Sequence, residues 1–468
     1  MRELKGSRMA GSLMVFFAFL LVLAPISSAD EGAVTSSTAG SSGNWWSKMK
    51  NSFSNIGMPN IFSELSPADV GVKPKVKPHF AFTQGFNSNA NLGGKQADAA
   101  WQARIAPGIS VSIPSGKLYT EMDYTYAFVT TQGRKTNANT NAHNLNALAR
   151  YELSEDTIIG ISNNLQNSQL PGQTDKTFWL DTATAQASHR LSPKLVGTLS
   201  DTFQWYKDST KPTATRAPSP IRDKEFKNTF VDNGVGANLD YDALEDLTVG
   251  PSFKWNIRHY KDSEGKSYWQ ILPAANASYK LGPKTTLAGN FGWAYRRFDK
   301  KVDTTSGTHE SELVYGVGAN HLLGQKLVWG INYAKTLQDT FDTNFIFRDR
   351  PEASPTELDD LDRQFRVLKS HRISTSATYR FTERHSVDSF FDTSFVNGDA
   401  TDNVIVHQKS HEKTMQVGAG YTYRLNSYIA LDIHYVFGRR FTAEGDHTVG
   451  DRNEYTFHKV TGGVNITV

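Results

Sequence analysis

Apolar and polar side chains alternate with a period of two over most of the chain. Ile429, Leu431, Ile433, Tyr435 and Phe437 are separated by Ala430, Asp432, His434 and Val436. Leu247, Val249, Pro251, Phe253, Trp255 and Ile257 are interleaved with Thr248, Gly250, Ser252, Lys254 and Asn256. Leu287, Phe291, Trp293 and Tyr295 alternate with Ala288, Asn290, Gly292 and Ala294, and Trp101, Ala103, Ile105, Ile109, Val111 and Ile113 with Gln102, Arg104, Gly108, Ser110 and Ser112. Successive side chains of a strand point to opposite faces, so each stretch predicts a strand with one greasy face and one small or polar face.

The separators come in two lengths. Tight turns are expected at Pro114-Ser115-Gly116-Lys117, Ser154-Glu155-Asp156, Ser192-Pro193-Lys194, Leu244-Glu245-Asp246, Gly282-Pro283-Lys284, Gly324-Gln325-Lys326, Thr382-Glu383-Arg384 and Asn426-Ser427. Between them lie longer polar segments, such as 88–98, 132–140, 210–223 and 339–366. Eighteen strands follow, beginning near residues 79, 99, 117, 141, 156, 178, 194, 224, 246, 266, 284, 308, 325, 367, 385, 409, 427 and 452. Each strand with its connection takes about 22 residues, enough for the ~10 that cross a bilayer. Tight turns at one end and long loops at the other describe a closed antiparallel barrel in an outer membrane. The predicted fold is therefore all-β, a transmembrane antiparallel β-barrel of about 18 strands. A soluble propeller or repeated sandwich is the competing fold, but water-exposed strands there would carry polar residues on their outer face.

Residues 1–29 have the form of an export signal: Arg2, Lys5 and Arg8, then an apolar run from Leu13 to Ala24, then Ser27-Ser28-Ala29. Beyond it no run of 18 apolar residues occurs, and a barrel is the other backbone arrangement that can span a bilayer. Residues 30–78 read as a periplasmic segment: a Ser/Gly/Thr/Ala linker, a short amphipathic helix with Trp46, Met49, Phe53 and Ile56 on one face, and a Pro/Lys connector. The barrel is expected over 79–468, in the bacterial outer membrane.

Composition agrees with a thin apolar coat rather than thick cores. Of 468 residues 12% are aromatic, yet only 38% are hydrophobic and mean hydropathy is −0.47. A formal charge of +3 argues against a nucleic-acid partner. The absence of cysteine excludes disulfides, thiolate metal sites and cysteine nucleophiles.

Eighteen strands enclose a bore wide enough for water. By parity its wall carries Arg104, Glu121, Asp123, Arg150, Lys254, Arg258, Arg296, Glu312, Arg372, Arg380, Asp388, Asp392, Arg424 and Asp432, with amides such as Asn144, Asn146, Asn276 and Asn332. Mixed charge, amides and many glycines suit hydrated, hydrogen-bonding solutes such as saccharides, not a single-sign ion filter. Trp179, Trp269, Tyr295, Tyr379 and Tyr435 are expected in outer aromatic girdles. Trp45, Trp46 and Phe53 have three open roles: plugging the periplasmic mouth, resting on the inner leaflet, or docking a partner. Catalytic signals are weak. His407 and His411 lack an acidic partner at metal spacing, and Glu357, Asp359, Asp360 and Asp362 lack the glycine and spacing of a calcium loop. Neither a hydrolase motif nor a phosphate loop occurs, so no enzyme activity, metal or cofactor is expected.

Phe82, Phe86-Asn87-Ser88-Asn89, Pro107-Gly108-Ile109, Pro114-x-Gly116, Tyr124 and Leu170-Pro171-Gly172 resemble the β-barrel porin family of exopolysaccharide biosynthesis operons. The resemblance covers about 100 residues. It implies an outer-membrane conduit for a secreted or capsular polysaccharide, without catalysis, working with a periplasmic polysaccharide-export protein. The expected partners are then outer-membrane lipid, the polysaccharide and that export protein. A passive porin for small sugars or other hydrophilic solutes is the alternative; a plugged adhesion barrel or an embedded lipid hydrolase stands behind it.

Overall fold

A computed structural model describes residues 74–89, 99–133, 138–170, 173–210, 229–261, 267–299, 309–339, 367–398, 410–442 and 455–467. They form β1 Lys75–Asn87, β2 Ala100–Ser115, β3 Leu118–Gly133, β4 Ala138–Ser154, β5 Thr157–Leu170, β6 Gln173–Ser192, β7 Leu195–Thr210, β8 Phe230–Leu244 and β9 Leu247–Tyr260. The second half forms β10 Tyr268–Lys280, β11 Thr285–Phe298, β12 His309–Leu323, β13 Leu327–Asp339, β14 Val367–Arg380, β15 His385–Gly398, β16 Ser410–Arg424, β17 Ile429–Thr442 and β18 Tyr455–Thr467. Every strand pairs antiparallel with its neighbours in sequence, and β1 also pairs with β18, His79 facing Thr467. One 18-stranded sheet is thereby closed into a barrel. Closure removes the edge strands, whose unpaired N–H and C=O groups could not be satisfied in hydrocarbon. Among the described residues no helix is long and apolar enough to cross a membrane.

The tight turns fall at the predicted places. Gly116, Gly282 and Gly324 stand in three of them with φ of 51°, 74° and 67°, a region that β-carbons disfavour. At the opposite end, strand length departs from expectation. β3 and β4 are separated only by residues 134–137, and β5 and β6 only by 171–172. These hairpins extend their pairing through polar residues, such as Asn139 against Thr130, which the alternation of apolar residues does not reveal. β8 starts at Phe230, six residues beyond its predicted start. β1 starts at Lys75, inside the expected connector. Residues 75–78 pair with β2 alone, below the end of β18, an edge position that accommodates Pro78.

The two faces differ sharply. Ile105 and Ile109 of β2, Phe253 and Trp255 of β9, Phe291 and Trp293 of β11, Val317 of β12 and Ile433 of β17 are exposed on the outside. The side chains between them face inward. A large apolar surface left uncovered around a closed sheet is the coat of a membrane-spanning barrel. Aromatic pairs rim this coat toward the long connections. The Tyr124 hydroxyl lies 3.0 Å from His143 Nδ1, and His143 stacks on Trp179 at 6.4 Å. Trp269 packs on Tyr295 at 5.5 Å, and the Tyr435 hydroxyl lies 2.8 Å from His458 Nδ1. Tyr379, Tyr421 and Tyr428 stand near the tight-turn edge. Residues 1–73, with Trp45, Trp46 and Phe53, lie outside the described residues.

Candidate functional site

The inner wall collects the polar residues. Arg104, Glu121, Asp123, Arg150, Lys254, Arg258, Arg296, Arg372, Arg380, Arg424 and Asp432 all have the strand parity opposite to the apolar coat. Their environments are not alike. Arg372 has a side chain 61% exposed and is paired with Asp392 at 2.6 Å. Arg150, Arg258 and Arg296 are packed, at 6%, 8% and 3% exposure. Arg150 pairs with Glu152 at 2.7 Å and Arg258 with Asp232 at 2.7 Å. Arg296 donates to Gln270 Oε1 at 3.0 Å and lies 4.0 Å from the centre of the Tyr268 ring. Charges taken out of water need such partners.

Aromatic residues also occupy the inner wall, beside the girdle residues expected on the outside. Phe178, Tyr206, Phe230 and Tyr260 form a buried row across β6–β9, with centroid spacings of 5.9, 5.3 and 5.4 Å. Arg258 sits 4.5 Å over Phe230, and Tyr268 meets Phe298 edge-on at 5.9 Å. Parity could have revealed them. Phe178 precedes outward Trp179 and must face inward.

Elsewhere the wall is built from amides, hydroxyls and imidazoles. Asn164 donates to Asn144 at 3.2 Å and also to Asn146, and Asn465 donates to Asp432 at 2.8 Å. His79 Nε2 lies 3.1 Å from Thr125 Oγ1 and its Nδ1 3.8 Å from Asp123. Gly108 makes room for this imidazole: a β-carbon there would lie 2.0 Å from Nε2. Gly420 similarly clears space for His434, which lies 3.6 Å from Asp432. Thr125 Oγ1 also donates to Asp123 Oδ1 at 3.5 Å, so Asp123, His79 and Thr125 form one polar network on the inner wall. Among the described residues no three His, Asp or Glu converge as metal ligands. His407 and the Glu357–Asp362 cluster lie outside the described residues.

The Asn87-Ser88-Asn89 sequence proves to be a seam fastener. Ser88 N donates to His458 O at 2.9 Å, and His458 N to Ser88 Oγ at 2.8 Å. Asn89 N donates to Asn87 Oδ1 at 3.0 Å, and Asn89 Nδ2 to Thr456 O at 3.2 Å. These bonds join β1 to β18 where the first and last strands meet.

An apolar outside, a polar inside and a closed wall define a transmembrane β-barrel. No family model and no curated protein matches the chain. Several solved barrels are similar in structure. OccK5 (OpdH) of Pseudomonas aeruginosa is 10% identical, with a TM-score of 0.46 over 84% of this chain and 98% of that one. OpdK of the same organism, solved with vanillate, is 12% identical, with a TM-score of 0.45 over 84% and 98%. The siderophore receptor PirA, also of P. aeruginosa, is 7% identical, with a TM-score of 0.44 over 84% and 80%.

Proposed function

We propose that this barrel is a pore of the Gram-negative outer membrane that admits small hydrophilic solutes by diffusion, without catalysis, after export through the 1–29 signal. The observation that carries this reading is the inner wall. It combines Arg, Lys, Asp and Glu in matched pairs with amides and hydroxyls, inside a ring in which every strand is hydrogen-bonded to a neighbour on each side. Such a wall replaces a solute's hydration without holding one charge sign, which suits neutral and weakly charged molecules such as small sugars.

Polymer export has less support. Its motif-bearing residues have structural roles: Asn87, Ser88 and Asn89 fasten the seam, and Gly108 accommodates His79. Purified protein in planar bilayers should give stepwise currents, and proteoliposomes should swell in monosaccharide at rates that fall with solute size. Absence of current and of swelling, with the protein shown to be inserted, would refute the pore. Loss of surface polysaccharide in a deletion strain would restore the export reading.

A further inference from the structure

The seam between β12 and β13 opens on the long-connection side. Their pairing runs from Leu323↔Leu327 up to Tyr315↔Lys335 and stops there. Above that point β12 stays paired with β11 as far as His309, and β13 stays paired with β14 as far as Asp339↔Val367. The two hairpins therefore part company.

Side-chain contacts show which way the upper β13–β14 hairpin goes. Trp329 and Ile331 of β13 are exposed on the lipid side, so parity would put Lys335 and Leu337 outside as well, with Lys369 of β14, which faces Leu337. Instead Leu337 packs on Tyr268 and Phe298, three and two strands away on the inner wall. Glu312 has inward parity, facing Ala294, and receives Lys335 Nζ at 2.5 Å and Lys369 Nζ at 3.0 Å. Three side chains of outward parity, Lys335, Leu337 and Lys369, thus reach partners on the inner face of β10–β12, Lys335 passing the rim of the seam 5.9 Å from the centre of the Tyr315 ring. We propose that this end of the hairpin is a built-in constriction of the bore, latched by Glu312 to two lysines and by Leu337 to an aromatic pair, and that it sets pore width and charge preference.

The geometry explains the arrangement of charge. One carboxylate holds two ammonium groups, so the latch carries net positive charge. Its side-chain exposures are 16% for Glu312 and Lys335 and 33% for Lys369, low enough for the attraction to be weakly screened. The constriction therefore favours anions over cations passing it.

This inference rests on the pore reading for its electrical test, so a second test reads position alone. The chain has no cysteine, which gives a clean background. Leu337→Cys combined with Phe298→Cys should be joined by a short bis-maleimide in membranes, while Leu337→Cys with Phe253→Cys, on the outer face, should not. Failure of the first pair to join, in protein shown to be folded by heat-modifiable gel mobility, would overturn the inward hairpin whether or not the barrel conducts. In bilayers Glu312→Gln should raise conductance and increase the anion-to-cation permeability ratio by about twofold. Lys335→Met with Lys369→Met should also raise conductance but lower that ratio. If Glu312→Gln does not fold, Glu312→Asp tests the same contact, because its shorter arm cannot reach both lysines. Wild-type current with unchanged conductance and ratio in these variants would refute the constriction while leaving the pore standing. No current from any of them would count against the pore, and the cross-link alone would then decide the hairpin.

Discussion

Gly250 is the position where one added methyl group should do most damage. It lies on the inner face of β9, where the β8–β9 pairing breaks after Asn238↔Ser252 and resumes at Tyr241↔Val249. Between these pairs the strands approach unusually closely. A β-carbon at 250 would lie 1.6 Å from the Leu239 carbonyl oxygen and 2.7 Å from its carbonyl carbon. Ordinary contact begins at 3.4 Å, so the backbones would have to separate by nearly 2 Å. The obstacle is main chain and cannot swing away like a side chain. Overpacking of this kind costs about 1–3 kcal/mol, occasionally more, and separation here also strains the flanking ladder bonds. Gly250→Ala should therefore lose about 3 kcal/mol. Urea titration of the barrel in lipid vesicles, followed by tryptophan fluorescence, measures this loss. Gly462→Ala is the control, since the nearest atom to its β-carbon would be Asp432 O at 3.6 Å, and it should unfold like wild type. Equal midpoints for Gly250→Ala and Gly462→Ala would refute the close approach of β8 and β9.

Further predictions separate the faces and the seams. Arg258→Ala removes the partner of Asp232 in a pair whose side chains are 9% and 13% exposed, and should cost about 3–5 kcal/mol. Arg372→Ala, on a side chain 61% exposed, should cost about 0–1 kcal/mol in the same titration. Val317→Arg places a charge on the lipid face at a residue 58% exposed there, and should destabilise the barrel by about 2–4 kcal/mol in vesicles. Asn89→Ala loses the bond to Thr456 O across the closing seam, about 1 kcal/mol. It should lower the temperature at which the folded gel form converts to the unfolded one.

Much of the barrel is legible in the sequence because membrane and bore impose opposite solvents on alternate residues. Ile433 and Asp432 are one position apart and differ in everything. Turn positions are legible for a related reason: Gly116, Gly282 and Gly324 supply a backbone conformation that other residues resist. Where the alternation fails, local pattern no longer reports environment. Phe178, Tyr206 and Phe230 are apolar yet line the inner wall, because they pack on one another and under Arg258. Asp201 has the parity of outward Leu199 and Val235, and is exposed, bonded to Asn233 at 2.9 Å. Lys335, Leu337 and Lys369 are the hardest case. Their parity is outward, and only the parting of β12 from β13 brings that face inside. Such a departure depends on pairing between distant strands, to which a period of two is blind.

The barrel has an apolar outside and an aqueous inside, and β17 tests both together. Single cysteines placed in turn at 430, 431, 432, 433, 434 and 435 would be challenged with a charged, membrane-impermeant thiol reagent on protein in vesicles. Cysteines replacing Ala430, Asp432 and His434 should be labelled, while those replacing Leu431, Ile433 and Tyr435, exposed only toward lipid, should stay unlabelled. Uniform labelling along the strand, or labelling of the odd positions alone, would contradict the barrel and the pore with it.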